Sequence, residues 1–273
     1  MSAGYCKARD DFRAFLKTID LDRYRDLFKD KKYVEQDLPD DVVKEMLRSM
    51  YEHYWIKRKF LSFDDWFNDV WSKVINLEGF KNFLWHYFHM KLGKDKEWDE
   101  WFKMGFKARL YRTWTAVLTQ FDFSYTIACV LEEENLKVPI SASPELNMKG
   151  VDIRLNYIYK GYIEFQVYKV SERKEARGKT RSSIISIPYP VISRAELIRK
   201  IRSPQTKKKE AYETMLRIFD KYYEELENGF IVFKKELAKE ILERVRSGIS
   251  VEEFTVELAE CLRGKACKLL SQT

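Results

Sequence analysis

Two alternating runs in the middle of the chain set acidic groups among aliphatic ones. Val151, Ile153, Leu155, Tyr157 and Tyr159 alternate with Asp152, Arg154 and Asn156. A turn at Lys160–Gly161 follows, then Tyr162, Ile163, Phe165 and Val167 with Glu164 and Gln166 between them. A period of two marks strands, and the turn makes them a hairpin. Glu164 and Gln166 are two apart, so their side chains share a face. Pairing folds that strand back towards the level of Asp152. Two carboxylates so placed can hold a divalent ion. Mg²⁺ takes a few carboxylates plus waters and phosphate oxygens, and it activates a bound water against a phosphodiester.

A nearby lysine usually assists this chemistry. The position two after Glu164 is instead Gln166, which can bind a water but brings no positive charge. Lys169 is the candidate to fill that gap. Strict alternation points Lys169 to the opposite face, so a bulge is needed to bring it round. Asp152, Glu164, Gln166 and Lys169 are thus the catalytic candidates, with Asp152 and Glu164 as metal ligands. The competing reading is a sheet with a solvated polar face. Carboxylates on so apolar a hairpin are costly to bury without a metal or partner, which favours the chemical reading.

A basic stretch follows directly, from Lys169 to Lys209, opposed only by Glu172, Glu175 and Glu196. Arg173, Lys174, Arg177, Lys179 and Arg181 lead it and are the candidates for DNA contact. The net charge of +7 agrees with an anionic partner but carries little weight alone.

The elements that must position these groups are legible in outline. Apolar spacing predicts helices over Asp10–Lys29 with an interruption near Asp20, from Asp40 to Trp55 with Asp40 as cap, and after a Ser62 cap. Another helix covers Phe80–Leu92 and ends at Gly93, and one long helix or two joined ones cover Glu97–Glu134. Trp55, Trp66, Trp71, Trp85, Trp98 and Trp101 are expected to fill spaces between helices. Arg109 and Arg112 are expected in surface ion pairs.

After Asn135 come a short strand at Val138–Ala142, a turn from Pro144 to Gly150, the hairpin, and a strand at Ser183–Val191. Pro188 and Pro190 suit an edge there. Helices return at Ser193–Arg202 and Lys207–Glu227. A short strand lies at Gly229–Phe233, and helices at Lys234–Arg246 and Val251–Leu262, with Ser250 as cap, close the chain.

The chain of 273 residues suffices for a sizeable core, and 45% apolar with 34% charged residues reads as folded. No apolar run is long enough to span a membrane, and the first ten residues lack a signal core, so a cytoplasmic protein is expected. Cys6, Cys129, Cys261 and Cys267 form no CxxC pair, and reduced structural thiols are expected.

The segments VEQDLP (Val34–Pro39), GFKARLYRTWTAVLTQF (Gly105–Phe121) and SASPELNMKGVDIRL (Ser141–Leu155) resemble the TaqI-type restriction endonucleases. The likeness continues through EFQVYK (Glu164–Lys169) and the basic residues of Arg173–Arg177, covering about residue 10 to at least 180. It implies a Mg²⁺-dependent type II enzyme cutting double-stranded DNA at TCGA, with the family's essential aspartate on Asp152 and its essential lysine on Lys169. A palindromic target suits a homodimer. The expected fold is α/β, a PD-(D/E)xK-type mixed sheet flanked by helices. One endonuclease domain is expected over 1–273: a mainly helical part over 1–134, the catalytic sheet and basic segment over 135–233, and C-terminal helices over 234–273. The alternatives are a related nuclease of repair or other specificity, a DNA-binding protein with a degraded site, and a helical scaffold that binds protein.

Overall fold

The computed structural model describes residues 4–157, 161–171, 183–204, 208–265 and 267–269. The front half is helical. α1 (Tyr5–Lys17) and α2 (Leu21–Phe28) are separated at Asp20, whose carboxylate accepts from the Arg23 amide and caps α2. α3 (Asp40–Met50) differs from expectation at its start. Pro39 holds the cap position and Asp40 is already helical, while Asp41 binds the amides of Val42 and Gly79. The chain runs on into a π-helical turn, Tyr51–Ile56, which buries Tyr51 and Tyr54. α4 (Phe63–Val74) starts at the Ser62 cap as expected. α5 (Glu78–Phe88) ends sooner than expected, because His89 takes the left-handed conformation before Gly93 is reached.

α6 (Lys96–Glu133) is one helix of 38 residues. Phe121–Leu131 are all buried, so this stretch is packed on every side. The helix links two cores. Phe102, Phe106 and Trp114 belong to the aromatic core of the helical half, and Phe123, Ile127 and Val130 to the core beneath the sheet. Trp66 and Trp114 are fully buried, but Trp85 and Trp98 are 57% and 56% exposed, contrary to the packing role expected of all. Arg109 and Arg112 pair with Glu35, as expected of surface partners.

The second half holds the sheet. β1 (Ile140–Ser141), β2 (Ile153–Tyr157), β3 (Gly161–Val170) and β4 (Ile184–Pro190) lie in that order. The first three are antiparallel, and β4 runs parallel to β3. β4 is an edge strand, where prolines cost no ladder bond on the open side. A one-turn helix, α7 (Pro144–Asn147), precedes β2. α8 (Arg194–Arg202) and α9 (Lys209–Tyr222) follow. α9 stops short of Glu227, because β5 (Tyr223–Glu225) pairs back on β6 (Ile231–Phe233). α10 (Lys235–Ser247) and α11 (Val251–Leu262) close the fold, with Ser250 capping α11. The chain is thus a mixed α/β protein. No helix among the described residues is long and apolar enough to cross a membrane.

The cysteines correct an expectation. Cys6 pairs with Cys129 and Cys261 with Cys267 as disulfides, and no described cysteine is free. The first pair is 123 residues apart in sequence, so only the packing of α1 on α6 reveals it.

Candidate active site

The site is assembled by the segment that leads into β2. Ser143 Oγ accepts from the Leu146 amide at 3.3 Å, and Pro144 opens α7 with a backbone angle suited to a first turn. Gly150 ends the turn at φ +79°, a conformation that L side chains rarely adopt. A Cβ there would also stand 3.3 Å from Gln166 Nε2. The turn therefore delivers Asp152 to the start of β2, close against β3.

Asp152 is 2% exposed. Its amide donates to the Phe165 carbonyl at 2.8 Å. Its Oδ2 accepts from the Val167 amide at 2.6 Å and its Oδ1 from Asn147 Nδ2 at 3.1 Å. Asn147 Nδ2 also lies 2.9 Å from Gln120 Oε1 on α6 and 3.3 Å from the Tyr51 hydroxyl. Every one of these partners is neutral. Burial pushes the Asp152 carboxyl up to about 8, opposed by the Val167 amide. The carboxyl therefore keeps its proton near neutrality until a cation reaches it.

Register fixes the rest of the face. Ile153 pairs with Phe165 and Arg154 with Glu164. Asp152, Arg154, Glu164 and Gln166 thus share one face by strand alternation. Arg154 Nε and Nη2 both donate to Glu164 Oε1, at 2.8 and 2.5 Å. The guanidinium also sits 4.7 Å from the Tyr162 ring centroid.

Lys169 is not brought to this face. β3 pairs with β4 without interruption from Glu164–Ile184 to Val170–Pro190. No bulge forms, and alternation sends Lys169 to the side opposite Gln166. There it lines a cleft with Thr119 and Tyr189, and burial pushes its ammonium down from the usual lysine value. The DNA-contact candidates Arg173, Lys174, Arg177, Lys179 and Arg181 lie outside the described residues.

The donor set fits a small hard cation in one respect: a buried carboxyl with only neutral partners stands on the same face as a second carboxylate. Among the described residues no third acidic, histidine or cysteine ligand clusters with them. The two clusters of that size each contain a disulfide, Cys6–Cys129 with Glu133 and Cys261–Cys267 with Glu257, whose sulfurs are not thiolates.

Four residues of the site escaped the sequence reading. Asn147 was within reach, since it lies in the same segment as Asp152. Arg154 was visible as the cross-strand neighbour of Glu164. Tyr51 and Gln120 carried no signal, because they arrive from distant helices.

A mixed sheet with an acidic face and helical flanks is consistent with a nuclease fold. A family model described as the TaqI restriction endonuclease matches residues 9–245, and the chain belongs to that family. The type II restriction enzyme TaqI of Thermus aquaticus is 30% identical over 249 residues, 86% of this chain and 87% of that protein. The type II restriction enzyme TthHB8I of Thermus thermophilus is 31% identical over 251 residues, with the same shares. No solved structure matches the chain significantly. The family match extends through α9 and most of α10, beyond the segments whose motifs first suggested it.

Proposed function

We propose that this chain is a site-specific endonuclease that hydrolyses phosphodiester bonds of double-stranded DNA at a short palindrome, with TCGA the first sequence to test. A homodimer matches such a target, since twofold protein symmetry mirrors a palindrome. Family membership supports the class of reaction. The observation that carries the site is Asp152, buried with neutral donors alone among the described residues and on one face with Glu164 and Gln166.

In this reading Asp152 and Glu164 hold Mg²⁺, in the manner of a PD-(D/E)xK core. When bound, the ion supplies charge against the phosphate and lowers the pKa of a water. Asn147 orients the Asp152 carboxylate, and Gln166 accepts a hydrogen bond from the attacking water through its amide oxygen. Arg154 holds Glu164 and supplies on the reactive face the positive charge that Gln166 lacks. Lys169 stays outside this constellation. Arg173, Lys174, Arg177, Lys179 and Arg181 follow β3 directly and are assigned to the DNA backbone.

A second reading is a family member that binds DNA without cutting it. It is favoured by Gln166 standing where lysine is usual and by Glu164 being already paired with Arg154. Digestion of a sequenced plasmid with Mg²⁺ and with EDTA, across a temperature series, separates the two. Discrete Mg²⁺-dependent fragments mapping to TCGA are expected. Fragments mapping to another sequence would replace the palindrome, and duplex binding without cleavage at any temperature would establish the second reading.

A further inference from the structure

The cleft that receives Lys169 has a chemistry of its own. It encloses about 530 Å³ between α2, α6, the end of β4 and the β5–β6 turn. That is within the roughly 300–1,000 Å³ range of small-molecule sites. Among the described residues its lining includes five cations, Arg25, Lys29, Lys32, Arg112 and Lys169, and no acidic residue. Arg25 pairs with Asp22 and Arg112 with Glu35, outside the lining. No ion pair among the described residues engages Lys29, Lys32 or Lys169. One wall is aromatic, with Tyr111 packed 4.8 Å from Tyr24 and 5.5 Å from Phe28, centroid to centroid.

A concave site lined by lysines that no ion pair among the described residues answers attracts an anion. Tyr24 and Phe28 are buried by this packing, while Tyr111 stays partly exposed beside those cations and offers part of its ring to a planar base. We infer that this cleft binds a nucleotide, its phosphate against Lys29, Lys32 and Lys169 and its base along Tyr111. The nucleotide is either free or one unit of a DNA strand, and the phosphate chemistry is shared. The site lies on the opposite side of β3 from Asp152 and Glu164, so it does not depend on the reaction proposed there.

The test uses the full chain in EDTA, so that cleavage contributes nothing. ATP is titrated calorimetrically, and a short duplex lacking TCGA is titrated at several salt concentrations. Lys169→Gln and Lys29→Gln are compared with Lys44→Gln, an exposed lysine of α3 outside the cleft. Saturable ATP binding, weakened about tenfold by each cleft variant and unchanged by Lys44→Gln, establishes a site for a free nucleotide. Absent ATP binding, with the duplex salt slope falling by about one in each cleft variant, establishes a site for a strand unit. ATP binding that ignores the cleft variants, or no ATP binding with an unchanged duplex slope, overturns the inference. If Lys169→Gln fails to fold, Lys29→Gln and Lys32→Gln, both at the exposed rim, carry the same comparison.

Discussion

Asp122 and Asp152 are both withdrawn from solvent, yet what faces them differs in charge. Asp122, on α6, accepts from Arg13 Nε at 3.0 Å and from the Phe233 amide at 2.7 Å. It ties α1, α6 and β6 together, and its charge is answered within the fold. Among the described residues Asp152 receives only Val167 and Asn147, and none of them sets a cation against it. Burying a carboxylate beside a guanidinium makes a joint. Burying one beside neutral donors makes a place for a proton or for an ion that arrives later. The same side chain at the same depth thus serves assembly in one region and chemistry in the other.

The widest separation between the two regions is expected in activity. Asp152→Ala should lower cleavage by more than about a thousandfold, the scale on which loss of a transition-state stabiliser acts. Specific duplex binding, read by gel shift, should survive; retained cutting in this variant removes Asp152 from the mechanism. Asp122→Ala leaves the largely buried Arg13 with only the Phe233 carbonyl and the half-exposed Glu224, and should cost about 3–5 kcal/mol of stability by denaturant unfolding. A loss near zero there would mean that Glu224 and the Phe233 carbonyl answer Arg13 without Asp122, and the contrast would collapse.

A smaller effect is expected at the hub beside Asp152. Asn147→Ala should weaken Mg²⁺ affinity by about 10–100-fold, measured by titration, as for other residues that orient a ligand. Unchanged affinity would show that the Val167 amide alone sets the carboxylate. The last contrast is a slope in pH, small within any one pH unit. Asp152 is raised to about 8 in the folded chain, against about 3.9 when unfolded. Between those values the folded chain holds the extra proton. Its stability should therefore fall as pH rises through that window, by up to about 1.4 kcal/mol per pH unit, and level off above it. The decline should vanish in Asp152→Asn and persist in Asp122→Asn. Persistence of the full slope in Asp152→Asn would assign the titration to another group.

The hairpin, its facing polar residues and the helical character of α6 were legible because each rests on local periodicity, while its being one helix and not two joined ones was left to the structure. The Ser62 and Ser250 caps were legible for the same reason. Tyr51 and Gln120 were not, since they meet Asn147 only when two helices pack over α7. Nor was the Cys6–Cys129 pair, which depends on α1 lying along α6. The fate of Lys169 sits between these cases. Alternation alone pointed it away from Gln166, but a bulge remained open until β4 was seen to pair with β3 through Val170.

By itself the sequence determined which residues alternate, where most helices begin, and that acidic groups share a strand face, because these follow from backbone geometry within a few residues. Tertiary structure alone decided that Asp152 is buried among neutral donors while Asp122 meets Arg13. It also turned Lys169 into the lining of a separate basic cleft. Burial and charge environment are sums over neighbours from distant segments, and no local pattern encodes which neighbours will arrive.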